Sequence, residues 1–173
     1  MLHIVYGGSA SGKSSYAESF AMSLQGEGRL LYIATMYPYK WNTTEIDPET
    51  MQRIERHRAM RADKGFDTVE CYRHVEHIVA KRQDVLLLEC MSNLLANEMY
   101  LEPDSNAGSD MAETMSPVSN KIVQALIDLS TRVQELVIVT NDVFSDGGSL
   151  TYDESTREYV KNLAEINCAL ARE

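Results

Sequence analysis

An apolar run, LHIVY (residues 2–6), feeds straight into GGSASGKS (residues 7–14). The second stretch matches G-x-x-x-x-G-K-[ST], and its surroundings are the ones the motif needs: a strand-like run before it and a helix-like run after it. Gly7, Gly8 and Gly12, with Ser9, Ala10 and Ser11 between them, let the backbone turn tightly and aim its N–H groups inward at phosphate oxygens. The helix that opens near Lys13 adds the positive end of its dipole. In such a loop the Lys13 ammonium reaches the β- and γ-phosphates and the Ser14 hydroxyl sits on Mg²⁺. A chain that begins this way is expected to fold as an α/β nucleotide-binding domain.

The rest of the chain keeps the alternation. Residues 2–6, 30–35, 84–89 and 136–140 are short, apolar and partly β-branched, as buried strands of a parallel sheet are. Helical patterns fall between and after them, at 13–25, 48–63, 117–133 and 153–172. Asp47-Pro48 reads as a cap followed by a first-turn proline. Val118, Ile122, Leu126, Leu129 and Val133 recur at helical spacing, as do Tyr159, Leu163, Ile166 and Leu170. Strand alternating with helix predicts an α/β, P-loop NTPase-like fold, a mainly parallel sheet flanked by helices, in one domain over 1–173. Glu102 to Ser116 reads as a loop. So does Met36 to Ile46, whose Tyr37, Pro38, Tyr39 and Trp41 suit a lid, a partner contact or packing on the next helix.

Bulk composition narrows the function. With 16 basic and 26 acidic residues the net charge is −10. This argues against a nucleic-acid surface, which needs a basic patch, but leaves a mononucleotide pocket open. No stretch approaches the about 20 apolar residues of a membrane helix, and no basic leader precedes the first strand. Cys71, Cys90 and Cys168 are too widely spaced for a disulfide framework or a zinc site, which fits a reducing cytoplasm.

Two further stretches carry chemistry. DVLLLE (84–89) is an apolar strand that ends in a carboxylate, and ligands bind at the carboxyl ends of parallel strands. Glu89 is therefore placed to share Mg²⁺ with Ser14, whereas Asp84 lies at the wrong end. In DPETMQRIERHRAMR (47–61), Arg53, His57 and Arg61 are four apart and share a helix face, with Arg58 beside them. Arginines would keep the His57 imidazole neutral and nucleophilic and could stabilise phosphoryl charge. By composition alone, a solvent-facing amphipathic helix with one histidine is the commoner reading. His3 lies inside the first strand. His74 and His77, three apart on an expected helix, lack partners for a metal site.

Taken together these landmarks resemble the bifunctional adenosylcobinamide kinase / adenosylcobinamide-phosphate guanylyltransferase family. They are GGSASGKS (7–14), YIAT (32–35), the run from Asp47 to Arg61 followed by FDTVE (66–70), and LLLEC (86–90) with VTNDV (139–143). The resemblance implies two reactions. A nucleoside triphosphate, GTP or ATP, phosphorylates the aminopropanol hydroxyl of adenosylcobinamide; GTP then gives GMP to a histidine and from there to the cobinamide phosphate. His57 falls on the guanylylated histidine. Ala34, Thr35, Met36, Arg58, Ala59, Met60, Arg61, Glu70 and Glu89 fall on nucleotide-contacting positions. Glu70 is assigned to guanine, whose N1–H and 2-amino donors match a carboxylate's two acceptors. The resemblance also implies a homotrimer.

The chain departs from the family pattern in places. Ala10 stands where the loop usually has arginine, Tyr37 to Ile46 looks partly inserted, and VFSDGGSLTYDE (143–154) replaces a glycine-rich segment. Asn167-Cys168 stands for Asn-Gln, and the chain ends at Glu173, where the family has one more strand. These departures bear on the acceptor more than on the nucleotide. They keep open a P-loop kinase or nucleotidyltransferase with another small acceptor, and a nucleotide-binding module without catalysis.

Overall fold

The computed structural model describes residues 1–101, 115–142 and 152–173. Five strands, β1 (Leu2–Gly7), β2 (Leu30–Ala34), β3 (Phe66–Glu70), β4 (Val85–Glu89) and β5 (Glu135–Asn141), form one sheet in the order β1-β5-β4-β2-β3. All four pairings are parallel. The helices are α1 (Lys13–Leu24), α2 (Pro48–Arg61), α3 (Met91–Tyr100), α4 (Pro117–Arg132) and α5 (Glu154–Leu170).

Strand alternation sends successive side chains to opposite faces. Leu31, Ile33, Leu86, Leu88, Leu136 and Ile138 face one side, where α3, α4 and α5 cover them with Leu94, Leu95, Ile122, Leu126, Leu163 and Ile166. Leu30, Tyr32, Val85, Leu87, Val137 and Val139 face the other, where α1 supplies Ala17 and Ala21. Each fully buried Leu or Ile stabilises the fold by about 1.5–3 kcal/mol, so these two layers hold the sheet.

Side-chain caps start three helices where the sequence signals them. Asp47 accepts from the Thr50 N–H, with Pro48 next. Ser116 accepts from the Ser119 N–H ahead of Pro117, and Asp153 accepts from the Thr156 N–H.

α2 is unlike the others. Arg61 is its one buried side chain, so no apolar stripe seats it on the sheet.

At the lower edge, Asp84 is buried and bonded by Arg29 Nη2 at 2.6 Å, by the Arg29 N–H and by the Lys81 N–H. Burial opposes its ionisation, yet the Arg29 bonds hold the carboxyl below its ordinary range. The upper edge gathers the functional ends. Register sets Ala34 beside both Glu70 and Glu89, and Gly7 beside Asn141.

The expected strands and helices are present, within two residues at each end, and the sheet is wholly parallel. The pattern reading lacks β3 and α3. β3 is an edge strand with its polar residues exposed, so its apolar signal is two residues long. α3 begins after Cys90, which gives it no side-chain cap. The helix expected around His74 and His77 is instead one 3₁₀ turn, Val75–His77, with the two rings stacked at 5.6 Å. His3 lies in β1 and bonds Glu135 at 2.7 Å. The departing segment 143–151 and most of the expected loop, 102–114, lie outside the described residues.

Candidate active site

The loop between β1 and α1 forms as its glycines require. Gly12 takes φ +83°, and α1 begins at the next residue with no acidic side chain in its first turn. A Cβ on Gly7 would stand 2.9 Å from Ser11 Oγ, so a side chain there would displace the Ser11 hydroxyl. Ala10, in the position the resembled family fills with arginine, sits in the left-handed region at φ 54°. Lys13 Nζ donates to the Gly8 carbonyl at 3.0 Å, which holds the ammonium over the loop.

A pocket of about 420 Å³ opens above this loop. Ser14 Oγ donates to Glu89 Oε1 at 2.8 Å, so α1 and β4 meet across the intervening β5. Glu89 Oε2 is buried without a hydrogen-bond partner. Burial pushes the Glu89 carboxyl up to about 7, against the opposing pull of Ser14 and Lys13. The Ser14 hydroxyl and the Glu89 carboxylate, one of whose oxygens has no partner, form beside the phosphate loop a hard-oxygen donor pair that fits a divalent cation.

α2 forms the facing wall. Arg53, Ile54, Arg56, His57, Arg58 and Arg61 all line the pocket. Burial lowers the His57 pKa from its ordinary value, and Arg61, Arg56 and Arg53 lower it further. A neutral imidazole therefore faces the loop across the pocket. Arg61 is buried with its guanidinium carbon 3.5 Å from the Tyr32 ring centroid, and its Nε and Nη1 have no hydrogen-bond partner. Arg58 pairs with Glu70 Oε1, and the Tyr72 hydroxyl donates to Glu70 Oε2. Burial and that bond raise the Tyr72 phenol well above its ordinary value.

A phosphate loop, a hard-cation donor pair and a neutral histidine among arginines thus share one cavity. The family model described as cobinamide kinase / cobinamide phosphate guanyltransferase matches residues 3–173. The chain belongs to that family. Two curated relatives, both named bifunctional adenosylcobalamin biosynthesis protein CobU, come from Escherichia coli K12 and Salmonella typhimurium LT2. The first is 31% identical over 151 residues, covering 83% of this chain and 76% of the relative. The second is 31% identical over 150 residues, with the same coverage.

Of the positions transferred from the cobinamide kinase / guanyltransferase family, Ser9, Ala10, Lys13, Ser14, Ala34, Met36, His57, Arg58, Arg61, Glu70 and Glu89 line this cavity. Gly7, Gly8, Ser11 and Gly12 shape the loop beneath. Thr35 does not line it. It is fully buried, with its hydroxyl bonded to the Glu89 and Cys90 carbonyls at 2.9 Å, and it ties β2 to the end of β4. Ala59 and Met60 lie on the exposed part of α2, and Met60 is 58% exposed. Helical geometry explains this: His57 and Arg61 are one turn apart with Arg58 beside them, while Ala59 and Met60 turn outward.

The cavity also recruits residues that motif reading passes over. Tyr32, Tyr72, Ser92, Asn93 and Asn141 line it. Asn141 ends β5, so the strand-end rule that singles out Glu89 reaches it too. Tyr32 is one more aromatic in a buried strand and carries no signal of its own.

Proposed function

We propose that this chain phosphorylates adenosylcobinamide and then transfers GMP from GTP, through His57, to the resulting phosphate. The observation that carries this reading is that His57 and the loop residues Lys13 and Ser14 line the same cavity. One bound triphosphate could then present its γ-phosphorus to one acceptor and its α-phosphorus to another.

In the kinase step the acceptor hydroxyl oxygen bonds to the γ-phosphorus. The bond to the β–γ bridging oxygen breaks, and the nucleoside diphosphate leaves. In the transferase step the neutral His57 nitrogen bonds to the GTP α-phosphorus and pyrophosphate leaves. A phosphate oxygen of the phosphorylated acceptor then attacks that phosphorus and releases the imidazole. Lys13 and the loop N–H groups hold phosphate oxygens throughout. The unpartnered Arg61 donors suit the charge that develops beside His57. Ser14 and Glu89 would hold Mg²⁺, which neutralises phosphate charge and, when bound, favours the ionised Glu89.

Glu70 is the proposed guanine contact. Its carboxylate is engaged by Arg58 and Tyr72, so a guanine edge would replace the Arg58 donors. Either GTP or ATP could feed the kinase step. The proposal includes a homotrimer. It also places the enzyme in the cytoplasm, in keeping with three free cysteines and no described helix long and apolar enough to cross a membrane. The altered segment 143–154 favours one second reading, a kinase or nucleotidyltransferase of this family with another small acceptor.

The test is incubation with α-³²P-GTP and Mg²⁺, then denaturing electrophoresis. An acid-labile, base-stable label that vanishes in His57→Ala is expected. GTP binding without label would leave a kinase or a binding module.

A further inference from the structure

A second cavity, of about 320 Å³, adjoins the phosphate loop at Ser9. Its walls include Ser9, Asn141, Asp142, Tyr152, Thr156 and Tyr159. Ser9 and Asn141 line the nucleotide pocket as well, so the two spaces meet at the loop. We propose that this cavity takes the hydroxyl-bearing arm of the acceptor alcohol, and that Asp142 accepts the hydroxyl proton in the kinase step. The inference rests on the kinase reading above and adds to it the acceptor's place and the base.

The partition is built from bonded groups. The Asn141 amide donates to Ser92 Oγ at 2.6 Å, and the Tyr159 hydroxyl donates to the Ser92 carbonyl at 3.2 Å. Both walls are thus pinned to the first turn of α3. The Asp142 N–H donates to the Gly7 carbonyl at 3.0 Å, which fixes this residue against the root of the loop. Its carboxylate accepts from the Tyr6 hydroxyl. Because β5 lies between β1 and β4, its end passes between the loop and Glu89. Asn141 continues the alternation of Val137 and Val139 toward the α1 side; Asp142 follows it and lines the cavity under α5.

The size and chemistry of the cavity fit this task. It stands at the lower end of ligand pockets, so it admits a short polar arm while the bulk of a large acceptor stays outside. Tyr152 and Tyr159 supply apolar walls, and Asn141, Thr156 and Asp142 supply polar contacts. Glu89, bonded to Ser14, and Glu70, bonded to Arg58 and Tyr72, line the nucleotide pocket, whereas Asp142 lines the second cavity. In the step itself, the acceptor O–H proton passes to the Asp142 carboxylate as the oxygen bonds to the γ-phosphorus. The electron pair of the broken β–γ bridge leaves with the nucleoside diphosphate, and Asp142 returns its proton to water.

The experiment measures phosphorylation of cobinamide by the full chain with γ-³²P-labelled ATP and GTP, alongside His57 labelling by α-³²P-GTP. Asp142→Asn should lower kinase kcat by about 10²-fold or more with the acceptor KM little changed, and leave His57 labelling at the wild-type level. Thr156→Trp, which fills the cavity, should raise the acceptor KM about tenfold or more with GTP affinity unchanged. If Asp142→Asn stays within fivefold of wild-type kcat, or Thr156→Trp keeps the wild-type acceptor KM, the proposal is wrong and the kinase reading stands. If the wild-type chain phosphorylates no cobinamide, the kinase reading falls and this proposal falls with it.

Discussion

The Arg61 guanidinium carbon lies over the Tyr32 ring, 3.5 Å from its centroid, and two of the Arg61 nitrogens have no hydrogen-bond partner. Buried guanidinium donors without hydrogen-bond partners cost stability. The place of Arg61 on the wall of the cavity is the ground for proposing it as a phosphate ligand. Arg61→Met keeps the packing on Tyr32 and removes the charge. The expected result is an unchanged or higher Tm, with GTP affinity about tenfold or more weaker, since a charge-assisted hydrogen bond contributes about 1.5–3 kcal/mol. A lower Tm with unchanged GTP affinity would make Arg61 purely structural.

As the proposed nucleophile, His57 should set the pH dependence of guanylylation. Burial and then Arg61, Arg56 and Arg53 hold its pKa below the ordinary 6.5. Only the neutral imidazole is nucleophilic, so the rate is lost as pH falls through the lowered pKa and not before. Labelling by α-³²P-GTP should fall on acidification with its midpoint below 6.5. A midpoint at or above 6.5 would mean that phosphate charge, not the arginines, dominates the ring.

Lys13 serves both transfers if one loop holds one triphosphate. Lys13→Ala should slow phosphorylation and guanylylation together, each by about 10²-fold or more. His57→Ala should abolish only the second. A Lys13→Ala enzyme with one step intact would point to two nucleotide sites.

Chelation tests the Ser14–Glu89 pair. Excess EDTA should halt both transfers, and added Mg²⁺ should restore them. Glu89→Gln should need more Mg²⁺ for half-maximal rate, measured by titration of the metal. A wild-type Mg²⁺ requirement in that variant would remove Glu89 from the cation.

Gly28 tests the fold away from the site. A Cβ there would stand 1.8 Å from the Gln83 carbonyl oxygen and 2.8 Å from Asp84 N, both backbone. Gly28→Ala should cost about 3 kcal/mol by urea denaturation. Nucleotide affinity should be unchanged wherever the protein remains folded.

What could be read from the sequence follows from how much each feature depends on neighbours in the chain. The GGSASGKS loop, the Asp47-Pro48 start of α2 and the strand ending in Glu89 declare themselves locally. So does the pairing of His57 with Arg61, because helix periodicity alone places them together. β3 has half its residues in solvent and borrows its strand character from pairing with β2, so a period-two signal barely exists. Arg61 over Tyr32, and Arg58 on Glu70, join residues that are far apart in sequence; no spacing rule reaches them. Ala59 and Met60 came from a contiguous motif, and the turn of the helix carries them outward. Thr35 follows a strand toward the site, yet its hydroxyl is occupied by the β4 backbone.

The near absence of apolar burial along α2 has a consequence for how this chemistry can change. The segment with the proposed nucleophile contributes little to the core, so its amides should exchange by local opening well below the energy of global unfolding. Selection on the core and selection on the transferase chemistry act on nearly separate sets of residues. A lineage can gain, lose or retune the histidine on this surface while the sheet beneath and its phosphate loop stay as they are.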